Sequence, residues 1–171
     1  ILFEANNYML FDTFEGVSDF KDGQFEVIFK YARYDEEDYD EFINNLESLA
    51  NVYVDTSSEY LYLFQHSDVL VTDGISFLFE YLITKKPIIF IDSLTNVGFN
   101  DFYKKFEDSW YKIIDINELQ NIIEKLLDGD DPLKLIRYNY LTQIYNNSAI
   151  KPSKLVIDDI LNSYNKYILS E

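Results

Sequence analysis

The sequence predicts a doubly wound α/β domain, a parallel sheet with helices on both faces. Three observations carry that reading. Apolar runs rich in β-forming residues alternate with amphipathic helical segments along most of the chain, the pattern of strands joined by crossovers. Two of those runs, DVLVTD at Asp68–Asp73 and PIIFID at Pro87–Asp92, stay apolar until a closing Asp, as strands do when both faces are covered. Only 5 Gly and 3 Pro stand among 171 residues, which favours long regular elements over tight turns.

Each element follows from its residues in order. Ile1–Ala5 is a short apolar run that suits a strand. Phe25–Ala32 (FEVIFKYA) is a stronger one. Asp35–Ala50 reads as a helix, with Tyr39, Phe42, Ile43, Leu46 and Leu49 at helical spacing and an acidic first turn facing the positive end of the helix dipole. Val52–Asp55 is a strand. Thr56 and Glu59 have the spacing of a capping box opening a helix over Tyr60–His66. After the strand at Asp68–Asp73 comes a helix at Ser76–Thr84, closed by Lys85-Lys86-Pro87, then the strand Pro87–Asp92. Tyr111–Asp115 adds a strand. Asn117 and Gln120 suit the cap of a helix over Glu118–Asp128, Asp131-Pro132 opens another with Pro at its first position, and a last helix runs from Pro152 to about Ile168.

The length fits one domain, residues 1–171, and a chain of that size buries roughly 70% of its unfolded surface without needing a staple. The start at Ile1, with no Met, basic segment or cleavage pattern, reads as a domain excised from a longer protein and carrying no signal peptide. Fourteen Lys and Arg against 31 Asp and Glu leave a formal charge of −17, which excludes broad nucleic-acid binding. There is no cysteine and only one histidine, so neither a thiol nucleophile nor a His/Cys metal cluster is expected. No apolar run reaches the ~18 residues of a membrane span.

Doubly wound sheets bind ligands at the carboxyl ends of their strands, so the loops after Ala32, Asp55, Asp73, Asp92 and Asp115 are where function is expected. The most informative is the turn after Asp68–Asp73. Thr72 and Asp73 end a strand, Gly74 permits a close turn, and a helix begins near Ser76. Free amides at that helix start, with the hydroxyls of Thr72 and Ser76, make a phosphate cradle. Glu80, one turn on, is placed to accept hydrogen bonds from ribose hydroxyls. The same residues also suit plain structure, with Asp73 and Ser76 as helix caps and Glu80 in solvent.

The run VLVTDGISFLFEYLITKKPIIF resembles the C-terminal domain of the CDP-glycerol glycerophosphotransferases, the teichoic-acid and capsule polymerases of GT-B fold. Thr72, Asp73, Ser76, Lys86 and Pro87 match that family. The spacing from Thr72 to Pro87 is also similar to non-hydrolysing UDP-GlcNAc 2-epimerases, where a helix glutamate holds the ribose, and Glu80 falls at that position. The looser resemblance extends from about Phe25 to Ser163. It implies a Rossmann-like sheet forming one half of a GT-B fold, a donor such as CDP-glycerol or a UDP- or GDP-sugar in place of a cofactor, and an N-terminal GT-B domain in the parent chain. It further implies a cytoplasmic location, or attachment at the inner membrane face through other parts of the parent protein.

One departure stands out. The family carries a His-Pro pair after the strand matching Phe25–Phe29, and here Lys30-Tyr31-Ala32-Arg33 takes its place. Lys30 and Arg33 are cations in a strand-end loop and suit a pyrophosphate; equally, they are two of the 14 cations spread over the chain. No catalytic residue is assigned. His66, at a helix end, suits capping, and Trp110 suits the core. The implied function is the donor-binding domain of a glycosyl- or glycerophosphotransferase building a cell-surface polymer, inactive by itself. An epimerase-like domain and a binding domain that has lost its chemistry are the alternatives.

Overall fold

The computed structural model describes residues 8–12, 26–30, 38–92, 98–146 and 152–168. Six strands form one parallel sheet: β1 (Tyr8–Asp12), β2 (Glu26–Lys30), β3 (Val52–Asp55), β4 (Val69–Thr72), β5 (Ile88–Ile91) and β6 (Tyr111–Ile113). Their spatial order is β3-β2-β1-β4-β5-β6, and every pairing is parallel. The helices are α1 (Asp38–Glu47), α2 (Leu61–His66), α3 (Ser76–Leu82), α4 (Asn117–Leu127), α5 (Lys134–Asn146) and α6 (Pro152–Ile168), with a 3-10 helix at Tyr103–Ser109. The doubly wound, Rossmann-like architecture expected from the sequence is the one observed.

Side chains alternate across the sheet and divide the core in two. On one face Phe11, Val27, Phe29, Val71, Ile89 and Ile113 pack beneath Leu46 of α1 and Leu119 and Ile123 of α4. On the other, Leu10, Ile28, Leu70, Ile88 and Phe90 pack beneath Leu63 and Phe64 of α2, Leu78, Tyr81 and Leu82 of α3, Phe106 and Leu141. All four residues of β4, and all four of β5, are buried. Trp110 is in this core, as expected. α6 differs: Val156, Ile157, Ile160, Leu161, Tyr164 and Tyr167 are exposed. No described helix is long and apolar enough to cross a membrane.

The strand reading needs one correction and the caps need two. β1, which lies in mid-sheet, falls in the stretch 6–24 left unassigned by the sequence, and the strand expected at Ile1–Ala5 lies outside the described residues. The Thr56–Glu59 capping box does not form at α2. Tyr60 stands at the N-cap position with no side-chain cap bond, and ahead of it Ser57 bonds backward to Asp55 Oδ1 through its amide (3.0 Å) and hydroxyl (2.8 Å). At α4, Asp115 takes the part expected of Asn117: its Oδ1 accepts from the Asn117 amide at 2.9 Å. That helix ends in a Schellman motif, Gly129 N–H to Leu126 O and Asp130 N–H to Lys125 O, with Gly129 at φ 82.

Candidate functional site

Strand order reverses between β1 and β4, so their carboxyl ends flank the crevice where such sheets bind ligands. Asp12 and Thr72 are the paired last residues there. The turn Thr72–Ser76 therefore opens at the switch point from a parallel, central strand. Thr72 is fully buried, and its Oγ1 accepts from the Gly74 amide at 3.0 Å. Its hydroxyl thus holds the turn. Gly74 is not in the left-handed region, so the turn does not depend on positive φ. Ile75 occupies the N-cap of α3 and has no side-chain cap bond to offer, and Ser76, the first helical residue, is exposed. Asp73 is half-buried beside it.

α3 is flanked by α2 on one side and the 3-10 helix on the other. Toward α2, Phe77 packs on Tyr60 and Phe64. There Glu80 accepts from the Tyr60 hydroxyl at 2.6 Å, and this hydrogen bond, then burial, raises the tyrosine's pKa. Glu80 is exposed but anchored through Oε2. Sequence reasoning missed Tyr60 as the partner of Glu80, because no local signal marks it. Toward the 3-10 helix, Phe79 packs on Phe102, Tyr103 and Phe106. A cleft of about 130 Å³ opens on this side at the sheet's carboxyl end, between Ile75, Phe90, Asp92, Lys104, Glu107 and Lys112.

Lys30 is turned to β3 and not to the Thr72–Ser76 turn. Lys30 Nζ is 2.8 Å from Asp55 Oδ1, with both side chains only 8% exposed. It also donates to the carbonyls of Asp55, at 3.5 Å, and of Ser57, so its three donors go to β3 and the segment after it. Burial pushes the Asp55 carboxyl up, but hydrogen bonds from Lys30, Tyr62 and Ser57 and the charge of Lys30 outweigh it and hold the pKa below the ordinary value. Arg33 lies outside the described residues.

Two matched motif residues have structural reasons to be where they are. Lys86 donates to the carbonyls of Phe64 (3.2 Å), Gln65 (2.7 Å) and Ser67, neutralising the negative end of α2. Pro87 follows, ahead of the first residue of β5. His66 also meets the end of α2, with Nδ1 2.7 Å from the Tyr62 carbonyl, as a capping residue would.

The fold defines a class. Over 77% of the chain it superposes, with TM-score 0.56 and 14% identity, on 38% of the UDP-GlcNAc 2-epimerase from Neisseria meningitidis. Over 81% it superposes on 39% of the glycotransferase of kitacinnamycin, with TM-score 0.56 and 18% identity. It also matches 86% of the C-terminal CMP-Kdo binding domain of WaaA from Acinetobacter baumannii over 78% of its own length, with TM-score 0.55 and 13% identity. The chain is a GT-B-type domain, and it spans about two-fifths of the length of the first two neighbours. No curated protein matches it. The model of the CDP-glycerol:poly(glycerophosphate) glycerophosphotransferase family matches residues 7–95, just over half of the chain, and the chain belongs to that family.

Proposed function

We propose that this chain is the nucleotide-diphosphate donor-binding half of a glycosyl- or glycerophosphotransferase that builds a cell-surface, teichoic-acid-like polymer. The observation that carries the reading is the place of the Thr72–Ser76 turn: the carboxyl end of a central parallel strand, where strand order reverses, with Glu80 one helical turn away. Membership of the glycerophosphotransferase family supports it. So do two neighbours of the same fold, one solved with UDP-GlcNAc and one a CMP-Kdo binding domain.

In this reading the donor's phosphates lie at the turn, where Ser76 and the first amides of α3 meet the charge that grows on the leaving group. Glu80, steadied by Tyr60, accepts from the ribose hydroxyls. The other wall of the cleft comes from an N-terminal domain. A domain that binds without catalysing is the second reading. The absent His-Pro pair favours it, as does the Lys30 that stands at that place and is held by Asp55.

The test is calorimetric titration of wild type, Ser76→Ala and Glu80→Gln with CDP-glycerol and with pyrophosphate. Ser76→Ala removes a hydrogen bond to a charged group and should cost about 1.5–3 kcal/mol of nucleotide affinity, roughly 10- to 150-fold. Glu80→Gln should weaken CDP-glycerol and leave pyrophosphate unchanged. Equal CDP-glycerol affinity in all three proteins would remove the site.

A further inference from the structure

Three residues on neighbouring strands stand in one row on the face that carries α3. Thr72 pairs with Phe90, and Phe90 pairs with Lys112. Phe90 is in the core on that face, and Tyr111 and Ile113 are in the opposite core, so alternation turns Lys112 to the same side. Adjacent strands are about 4.8 Å apart, which puts Lys112 on the order of 10 Å from Thr72. Asp92, two residues beyond Phe90, is 2.7 Å from Lys112 through Oδ2. Ile75 is the wall shared by the turn and the cleft.

The lining is mixed: Ile75, Phe90, Gly98 and Phe99 make an apolar floor, and Asp92, Lys104, Glu107 and Lys112 supply charged groups. Lys104 has only a loose pair with Asp101, at 3.4 Å with both side chains largely in solvent. The molecule has a formal charge of −17, and in this cleft Lys104 and Lys112 balance Asp92 and Glu107, so a phosphate meets two cations there in a neutral setting. Its volume of about 130 Å³ is below the roughly 300 Å³ at which pockets begin to take whole drug-sized ligands. It has room for part of a donor. Tyr60 and Glu80 lie across α3 on the other side.

We propose that this cleft is the specificity half of the donor site: it takes the small hydroxylated group beyond the diphosphate, with Lys104 and Lys112 meeting the outer phosphate and Asp92 and Glu107 accepting from the hydroxyls. The proposal rests on the donor-binding reading. It divides the donor across α3, nucleoside toward Tyr60 and Glu80, transferred group toward the 3-10 helix, and it assigns discrimination between donors to residues outside the Thr72–Ser76 turn.

The test compares CDP-glycerol with CMP, titrated into the 171-residue chain and into Lys104→Met and Glu107→Gln. Both side chains are exposed, and unchanged melting temperatures will confirm intact folding. Each variant should lose about tenfold or more in CDP-glycerol affinity, the worth of one hydrogen bond to a charged group, and bind CMP as wild type does. If both variants bind CDP-glycerol as tightly as wild type while CMP still binds, the cleft is no part of the site and the donor-binding reading stands. If CMP and CDP-glycerol weaken together, the assignment of the cleft to the transferred group fails. If wild type binds neither, the donor-binding reading fails and the subsite fails with it.

Discussion

Lys30 and Asp55 show how a residue suited to one role is taken up by another. A strand-end lysine is a natural phosphate ligand, yet its ammonium is enclosed with a carboxylate at 8% exposure on each side. Removing one partner of a buried pair leaves an uncompensated charge, at a cost of about 3–5 kcal/mol. Lys30→Met should therefore lower the melting temperature by roughly 6–20 °C, at about 2–4 °C per kcal/mol for a chain of this size. It should leave pyrophosphate affinity, read by calorimetry, unchanged. The pH dependence has a definite sign. The Asp55 pKa is depressed in the folded state, so its stabilisation is full above the ordinary carboxylate pKa of about 4 and is lost as pH falls through the lower folded value. Urea midpoints between pH 6 and 3 should fall more steeply for wild type than for Asp55→Asn. The turn Thr72–Ser76 and Glu80 were legible in the sequence because strand end, turn and helix start lie within nine residues of one another. The Lys30–Asp55 and Tyr60–Glu80 contacts were not. They join positions 25 and 20 residues apart, and which strands and helices become neighbours is decided by topology, which no local pattern reports.

Helix ends are where the elements carry their specific chemistry. Lys86 closes α2 through three carbonyls, and burial, partly offset by the charge of Asp68, lowers its pKa. Lys86→Met keeps the stem but orphans those acceptors. The expected cost is about 1–3 kcal/mol, read as a lower melting temperature with CDP-glycerol affinity retained; a selective loss of affinity would instead place Lys86 at the ligand. Gly129 offers a cleaner case. A Cβ there would meet nothing within 4 Å, and φ is +82, so Gly129→Ala costs only left-handed strain, about 1 kcal/mol. An unchanged denaturation midpoint would show that α4 ends without that conformation. Elements with strong periodicity or β-branched runs, such as β3, β5 and α6, were legible to within a residue or two. β1 was not: YMLFD has no β-branched residue and is central in the sheet, so neither composition nor alternation distinguishes it. The caps misled for a different reason. Asp55 and Asp115 turn the chain just ahead of α2 and α4 by accepting from the amides two residues on, Ser57 and Asn117, and the helices then start at Tyr60 and Ile116 with no side-chain cap bond.

At the scale of the molecule, net charge and the share of the cleft that one sheet supplies decide behaviour. Four ion pairs occur among the described residues, and two of them, Lys30–Asp55 and Arg137–Asp131, are shielded from solvent. Salt screens those little and the exposed pairs are worth little, while the self-repulsion of a −17 chain is screened strongly. The melting temperature should rise between 10 and 150 mM NaCl, concentrations at which the screening length falls from about 30 to 8 Å; a fall would mean that surface pairing outweighs repulsion. The last expectation concerns turnover. Transfer needs an acceptor and a base held against the donor, and positioning of that kind supplies roughly 7–11 kcal/mol of the barrier. Here the carboxyl pole provides a turn, a carboxylate and a charged cleft, all from one sheet. The chain spans about two-fifths of the epimerase and glycotransferase it resembles in fold. By itself it should bind donor without consuming it, so CDP-glycerol incubated with the purified chain and an acceptor should release no CMP above the uncatalysed background. On the proposed function, supplying an N-terminal GT-B domain should then give turnover. Release of CMP by the 171-residue chain alone would show that one wall of the cleft suffices and would return the search for a catalytic base to the residues around Thr72, Asp92 and Glu107.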